Sequence, residues 1–360
     1  MSQAVYLAGR GLASALGGDL TQAVQTLRSG GVPPIDFQTA PGETTPYFAM
    51  PPTGEDWSTR ARRLVRAAAA ESGALDARDG TLFVASTSFD MGRREHGDGF
   101  ELDIQEFSER LGEWLDWQGP VLTVCTACTS AVNALLSAAA LVRHGDASDA
   151  LVIGLELSNQ YTVGGFRSMQ LLSPTTAQPF GVARNGLVLG EAVAALHLSS
   201  RPARWRLCGG ANVVDASDPA GAVSSAVATM CRQALQRSGV DAQQIDLVKL
   251  QAAGSQHNDA TELAGLRLAF GTLPAMVSLK GWLGHTLGAA GAAEIALLLA
   301  CIEADLWPAP PYPIDPSLHA GLALHAPARL RHVLAGILGF GGGHAAVVLE
   351  DRAGRTEAAA

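Results

Sequence analysis

Lysine is almost absent from this chain. Its 360 residues hold only Lys249 and Lys280, against 23 arginines. A chain that carries its positive charge on arginine keeps a compact ammonium where one matters. Basic blocks are missing too. The formal net charge is −9, which argues against nucleic acid as a partner. The five cysteines (125, 128, 208, 231 and 301) are odd in number and show no disulfide spacing. Cys125-Thr126-Ala127-Cys128 is formally a CxxC, which leaves a redox pair as an alternative reading. No second CxxC or histidine pair suggests zinc, so no metal and no cofactor are expected. No apolar run is long enough to span a bilayer, because Leu287 to Ile302 is short and interrupted by Glu294. The start, Met1 to Leu7, has neither a basic segment nor a long apolar one, so no signal peptide is expected. A reducing cytoplasm fits these features.

What is present is apolar and small. Hydrophobic residues make up 48% and charged residues 16%, with alanine and glycine prominent. The length exceeds the usual single domain and can bury a large core. Strands are expected at Thr81–Ser86, Val121–Val124, Ala150–Gly154, Val188–Leu198, Leu247–Gln251, Met276–Leu279, Gly336–Leu338 and Ala345–Leu349. Helices are expected at Trp57–Ala70, Ile104–Leu115, Thr129–Arg143, Ser224–Arg237, Glu262–Ala269 and Thr286–Ala304. This alternation is an α/β architecture. Ser199 to Pro202 is a polar break near the middle, with residues 1–199 on one side and 200–360 on the other. Each side carries a small-residue helix led by a candidate reactive group, Cys128 or His285. Ala40 to Glu55, rich in Pro, Gly and Thr, reads as a loop, and the tail from Asp351 as frayed.

Cys128 sits where the β-branched strand Val121–Val124 meets the Ala- and Leu-rich helix stopped by Gly145. A cysteine at that junction meets unpaired backbone N–H groups and the positive helix end, both of which favour the thiolate. The alternative is a small apolar residue packed between strand and helix.

Other segments extend the pattern. Lys280 is followed by Gly284-His285-Thr286-Leu287-Gly288-Ala289-Ala290-Gly291-Ala292. The C-terminal part carries Gly339-Phe340-Gly341-Gly342, and Asn258-Asp259-Ala260-Thr261-Glu262 lies upstream. Gly165 to Ser173 and Pro179 to Glu191 add two more segments. Taken with Thr126-Ala127-Cys128, the ordered set from about Val121 to Leu349 resembles the β-ketoacyl-acyl-carrier-protein synthases, the condensing enzymes of fatty acid and polyketide assembly. Leu7 to Phe37 is a weaker match.

The resemblance implies the thiolase-like fold: two similar halves in α-β-α-β-α layers, with the site at their junction. It implies Cys128 as nucleophile, His285 as the second family histidine, and an oxyanion hole from the N–H groups of Cys128 and Phe340. Phe340 would also gate the cysteine, with Gly341 and Gly342 permitting a tight turn. Lys280 and Glu262 match the buried ion pair that organises the family site. Implied partners are an acyl carrier protein, acyl and malonyl thioesters, and a twofold mate, either the same chain or a ketosynthase homologue. Carrier proteins are acidic, and Arg60, Arg62, Arg63 and Arg66 form a basic patch at helical spacing. That patch reads either as a docking site or as a solvated helix face. The apolar helix 129–143 reads as core or interface.

The chain also departs from the family. Gln251 stands where the first histidine belongs; an amide can donate a hydrogen bond but cannot titrate. His257 lies six residues on, past the expected turn. Gly343 and His344 replace Thr and Asn after the glycine-rich turn, and Gly181 and Asn185 replace two aspartates. The stretch from Ser86 to Gly119 is short for the family, where it carries helices that cap the acyl pocket and help form the dimer. Three readings follow: a ketosynthase working through Cys128, Gln251 and His285; a non-catalytic chain-length-factor-like subunit; or a cysteine-dependent acyltransferase without decarboxylation.

Overall fold

Thirteen strands and ten helices, joined by short 3-10 turns, make up the described part of the chain. The structure is a computed structural model describing residues 3–95, 103–217 and 221–353. The chain runs β1 (Val5–Ser14), α1 (Leu20–Arg28), β2 (Ile35–Ala40), β3 (Glu43–Phe48), α2 (Trp57–Glu71), β4 (Thr81–Ala85) and α3 (Met91–Arg94). It continues through α4 (Ile104–Leu115), β5 (Val121–Val124), α5 (Ser130–His144), β6 (Asp149–Glu156), α6 (Gln160–Ser168), β7 (Leu189–Gly190) and β8 (Ala192–Ser199). Then come β9 (Trp205–Val214), α7 (Ser224–Ser238), β10 (Leu247–Lys249), α8 (Gln256–Phe270) and β11 (Ala275–Val277). The last elements are α9 (Lys280–Leu283), α10 (Ala290–Glu303), β12 (His332–Leu338) and β13 (Gly343–Asp351).

The wiring repeats. The main sheet runs β11-β10-β12-β13-β9-β1-β8-β6-β4-β5. In its first set β4 is parallel to β5 and β6, while β8 is antiparallel to both β6 and β1. In its second set β10 is parallel to β11 and β12, while β13 is antiparallel to both β12 and β9. The two sets therefore share one strand order and one pattern of directions. They meet where Val5–Leu7 pairs with Trp205–Leu207. All eight residues of β6, and all eight of β8, are buried, as expected of strands covered on both faces.

Three hydrophobic layers follow. One packs α2 and α4 on the first set, including Leu64, Leu111 and Ile153. A second packs α7 and α8 on the other, including Met230, Leu263 and Val348. Between the sets lies the largest, built on α5 and α10. The layers thus read α-β-α-β-α. The apolar helix after Cys128 is resolved by this: Ala131, Leu135 and Ala138 of α5 are fully buried in the central core. Gly145 ends it at φ 82°, a left-handed position that suits glycine.

The crossing of α5 and α10 sets the distance between the two helix starts, and Gly291 makes it possible. A Cβ there would lie 2.4 Å from Cγ2 of Val132. Gly291→Ala should therefore force the helices apart and cost about 1–3 kcal/mol by overpacking, read as a lower urea midpoint.

Several expectations change. The loop expected at Ala40 to Glu55 contains β3, which pairs with β2 in a hairpin and then with β7. The strand expected at Val188–Leu198 breaks at Glu191, whose carboxylate instead accepts from the Met50 and Ser158 amides and pairs with Arg60. Strands β1 and β9 were hidden by glycines, which sit there because neighbouring backbone comes too close for a side chain. A Cβ on Gly9 would lie 2.0 Å from the Ser72 carbonyl oxygen, and one on Gly210 2.4 Å from that of Ala346. Asp351 is not frayed: it ends β13, buried and bonded to Arg204 at 2.7 Å. The rest of that tail, from 354, lies outside the described residues. So do 96–102 of the short stretch between Ser86 and Gly119. At the end of the sheet β5 is an edge strand, with Leu122 45% exposed.

Candidate active site

The turn between β5 and α5 is held tightly. Ala127 adopts φ 51°, a left-handed backbone that is strained for alanine. The Thr126 amide donates to Oγ of Ser130 at 2.9 Å, and that hydroxyl donates to the Ala127 carbonyl at 2.6 Å. The Thr129 hydroxyl donates to the Thr126 carbonyl at 2.6 Å. This turn places Cys128 at the foot of α5, buried. Burial dominates its ionisation and pushes the thiol up to about 11. Lys280 and the amides of Phe340 and Cys128 itself pull the other way. The helix end therefore does not make a resting thiolate, contrary to the expectation from position alone.

His285 reaches the same point from the other set. Its Nε2 lies 3.0 Å from Sγ of Cys128. Its backbone is clamped to the β7 segment: the His285 amide donates to the Val188 carbonyl at 2.8 Å, and the Gly190 amide donates to the His285 carbonyl at 3.1 Å. Gly284 makes the approach possible at φ 72°, since a Cβ there would lie 2.8 Å from the Leu189 backbone. Burial, then Lys280 and Lys249, push the imidazole well below its ordinary range, so it is neutral. Cys128 and His285 thus rest as a neutral thiol and a neutral imidazole.

The expected ion pair is corrected. Lys280 Nζ bonds Glu294 Oε1 at 2.5 Å, and Lys249 Nζ bonds Glu294 Oε2 at 2.6 Å, all three side chains being at most 2% exposed. Glu262 instead accepts the backbone amides of Gln251 and Ala252, both at 2.7 Å. Burial lifts Glu262 to about 7. The reason lies in helix placement: Glu294 projects from the central α10, whereas Glu262 on α8 lies under the loop that follows β10. Both lysines of the chain end on one carboxylate. Glu294→Leu would leave two buried ammoniums unpaired, so it should destabilise the fold by about 3–5 kcal/mol, read by urea denaturation.

Gln251 is 6% exposed and lines the Cys128 pocket, and its Oε1 has no hydrogen-bond partner among the described residues. His257 is exposed on the first turn of α8 and does not line that pocket. Phe340 closes the other side. Its ring stacks on Phe166 with centroids 5.5 Å apart and planes 13° from parallel. Gly341 and Gly342 follow at φ 78° and 73°, and a Cβ on Gly342 would lie 1.6 Å from the Asp215 carbonyl oxygen. The pocket between Cys128, Phe166, Gln251, His285 and Phe340 is small, about 50 Å³. His344 is buried behind the Phe340 turn, in a separate cavity with Asn133 and Asn212.

The structure brings Cys128, His285, Gln251, Glu262 and Phe340 to one pocket and sets Lys280 behind it. Lys249, Glu294 and Phe166 join them without having been singled out as site residues. The signals were there: Lys249 is one of two lysines, and Glu294 is the single charge in an apolar helix. Of the four arginines of the patch, Arg62 is exposed with no side-chain partner among the described residues, and the other three are engaged. Arg60 is held by Glu191, Arg63 by Glu55 at 2.7 Å, and Arg66 by the Trp114 carbonyl and Asp116.

Comparisons with known proteins show the family. Residues 89–203 match the family described as "Beta-ketoacyl synthase, N-terminal domain", and residues 208–311 match "Beta-ketoacyl synthase, C-terminal domain". A Streptomyces cyaneus protein carrying the name polyketide beta-ketoacyl synthase 1 is 32% identical over 69% of this chain and 64% of its own length. The mitochondrial 3-oxoacyl-[acyl-carrier-protein] synthase of Arabidopsis thaliana is 30% identical over 64% of this chain and 56% of its own. The chain thus spans less than two thirds of the length of these relatives. A solved complex of the ketosynthase ApeO with its chain length factor ApeC from Xenorhabdus doucetiae contains a similar chain. The likeness covers 97% of this chain and 98% of that one at 25% identity, with a TM-score of 0.84. Among the described residues, no helix is long and apolar enough to cross a membrane.

Proposed function

Because the chain belongs to the β-ketoacyl synthase family, we propose that it forms carbon–carbon bonds by decarboxylative Claisen condensation through an acyl group on Cys128. The observation that carries this reading is the 3.0 Å contact between Cys128 Sγ and His285 Nε2 inside a pocket closed by Phe340. In the first step Sγ attacks the carbonyl of an acyl thioester. The thiol proton leaves through His285, and the carrier thiol departs with a proton. The amides of Cys128 and Phe340 both act on the sulfur, which supports reading them as the oxyanion hole. In the second step a malonyl thioester loses CO2, and the bond electrons form an enolate. Its carbon attacks the acyl carbonyl, the C–S bond breaks, and Cys128 leaves as a thiolate that takes up a proton from solvent through His285. Neutral His285 and the Gln251 amide are the hydrogen-bond donors available to the enolate oxygen. Residues 1–199 and 200–360 serve as the two halves, with Lys280 and Glu262 in supporting places.

An acyl carrier protein would deliver both thioesters, and the open β5 edge, with Leu122 and Ile104 exposed, is the place for a twofold mate. One observation favours a second reading. Gln251 stands where the family has a histidine, and a similar chain sits in a ketosynthase–chain length factor complex, so the second reading takes this chain as the pocket-shaping subunit of a heterodimer. Intact-protein mass spectrometry after incubation with acyl carrier thioesters separates the two. Acyl mass on the chain alone supports condensation. Acyl mass confined to an added ketosynthase partner supports the second reading.

A further inference from the structure

Three arginines from three elements surround one cleft, at the end of α5 away from Cys128. Arg143 stands in the last turn of α5, Arg206 on β9 and Arg237 in the last turn of α7. With Gln3 and Cys208 they line a cleft of about 390 Å³. Backbone contacts bring them together. The Arg143 guanidinium lies along β9, its Nη2 donating to the carbonyls of Leu207 at 3.4 Å and Cys208 at 3.5 Å. The end of α7 presses on the next residue of that strand, where a Cβ on Gly209 would lie 2.7 Å from the Arg237 carbonyl oxygen.

These cations are poorly matched by negative charge. Arg143 is half-buried and pairs with no carboxylate. Arg237 is exposed, and its side chain has no partner among the described residues. Arg206 reaches one oxygen of Glu350 at 3.6 Å, while Arg331 holds the other at 2.7 Å. Burial pushes the Cys208 thiol up to about 11, so it stays protonated and adds no charge. An arginine at a helix end is ordinary on its own. A half-buried guanidinium beside a second one is not, because burial and then Arg206 both work against the Arg143 charge. All this occurs on a chain of net charge −9, where acidic partners are plentiful.

We propose that this cleft binds a small phosphate-bearing molecule, whose oxyanion is held by Arg143, Arg206 and Arg237. Guanidinium groups meet phosphate oxygens in a forked, two-bond geometry, and such charge-assisted bonds are strong. Three cations sharing part of one carboxylate favour a group with nearly two negative charges, which a phosphate monoester carries near pH 7 and a carboxylate does not. The volume suits a small molecule. A nucleic acid strand would call for a basic stripe. At about 1.5 Å of rise per residue, α5 sets the cleft roughly 20 Å from the Cys128 sulfur. It is a second site, and it stands whether or not Cys128 condenses acyl groups.

The test is isothermal titration calorimetry of the full chain at low ionic strength. The probes are inorganic phosphate, pyrophosphate and adenosine 3′,5′-bisphosphate, with acetate as the comparison. The native chain should bind at least one phosphate probe saturably at one site, and acetate not at all. Arg143→Gln and Arg206→Gln should each weaken that binding about tenfold or more. Arg237→Gln, an exposed substitution, should do the same, and it carries the test should Arg143→Gln not fold. Arg62→Gln, exposed on α2, should bind as the native chain does. Tightest binding of the bisphosphate would identify an organic phosphate, and equal binding of all three a free one. The proposal is overturned if no phosphate probe binds saturably, or if all three cleft variants bind as the native chain does. Binding of a polyglutamate peptide without any phosphate binding would overturn it too, in favour of an acidic protein partner.

Discussion

Cys128→Ala protein should take up no acyl group from a carrier thioester and lose its condensing activity, a drop on the order of 10⁶-fold for loss of a nucleophile. The substitution removes one buried sulfur and leaves the α5 turn, whose bonds come from Thr126, Thr129 and Ser130, in place. A well-folded inactive chain is therefore the expected product. The native protein gives a matching pH result. A thiol pushed up to about 11 is almost wholly protonated at pH 7. Raising the pH increases the thiolate fraction tenfold per unit until the thiol titrates. Iodoacetamide labelling of Cys128, followed by peptide mapping, should rise tenfold per unit from pH 7 to pH 10. A plateau by pH 8 would mean that the helix end and Lys280 outweigh burial. Exposed Cys125 labels separately and serves as the internal comparison. Acyl uptake that persists in Cys128→Ala would remove Cys128 from the chemistry.

Most of the helical framework is legible in the sequence because it is carried by local signals. The expected ends of α2, α4, α5 and α7 agree with the structure to within a residue or two. Asp56 and Asp103 cap α2 and α4, while Gly145 and Gly239 stop α5 and α7 in left-handed conformations. The strands β1 and β9 are harder to read. Their glycines look like turn signals, yet the structure uses them where backbone approaches backbone across layers. That is a tertiary fact with no local trace.

The site divides the same way. Cys128, His285 and Phe340 lie in motifs whose order along the chain is distinctive, and they meet in one pocket. The partner of Lys280 does not follow from order. Glu262 and Glu294 both lie on helices within reach in sequence, and only the central position of α10 decides between them. Glu294 looked like a flaw in an apolar helix. In the folded chain it is the anion that lets two buried lysines exist. A lone charge in an otherwise apolar segment is the signal that could have found it.

Gln251→His should raise malonyl decarboxylation about 100-fold or more, the usual worth of a positioned group that can exchange a proton in the transition state. The argument is geometric. Gln251 faces the pocket with an unpartnered Oε1, and its backbone is fixed by Glu262, so an imidazole placed there would enter the same space. A neutral imidazole offers its N–H to an enolate as the amide does. It can also accept a proton as charge develops, which the amide cannot. The measurement is CO2 release from malonyl carrier thioester by the native chain and Gln251→His, each with and without a ketosynthase partner. A native chain already as fast as the variant would make Gln251 a competent donor and its difference from histidine irrelevant. A variant that stays slow alone but speeds a partnered complex would place the chemistry in the partner and the tunnel in this chain.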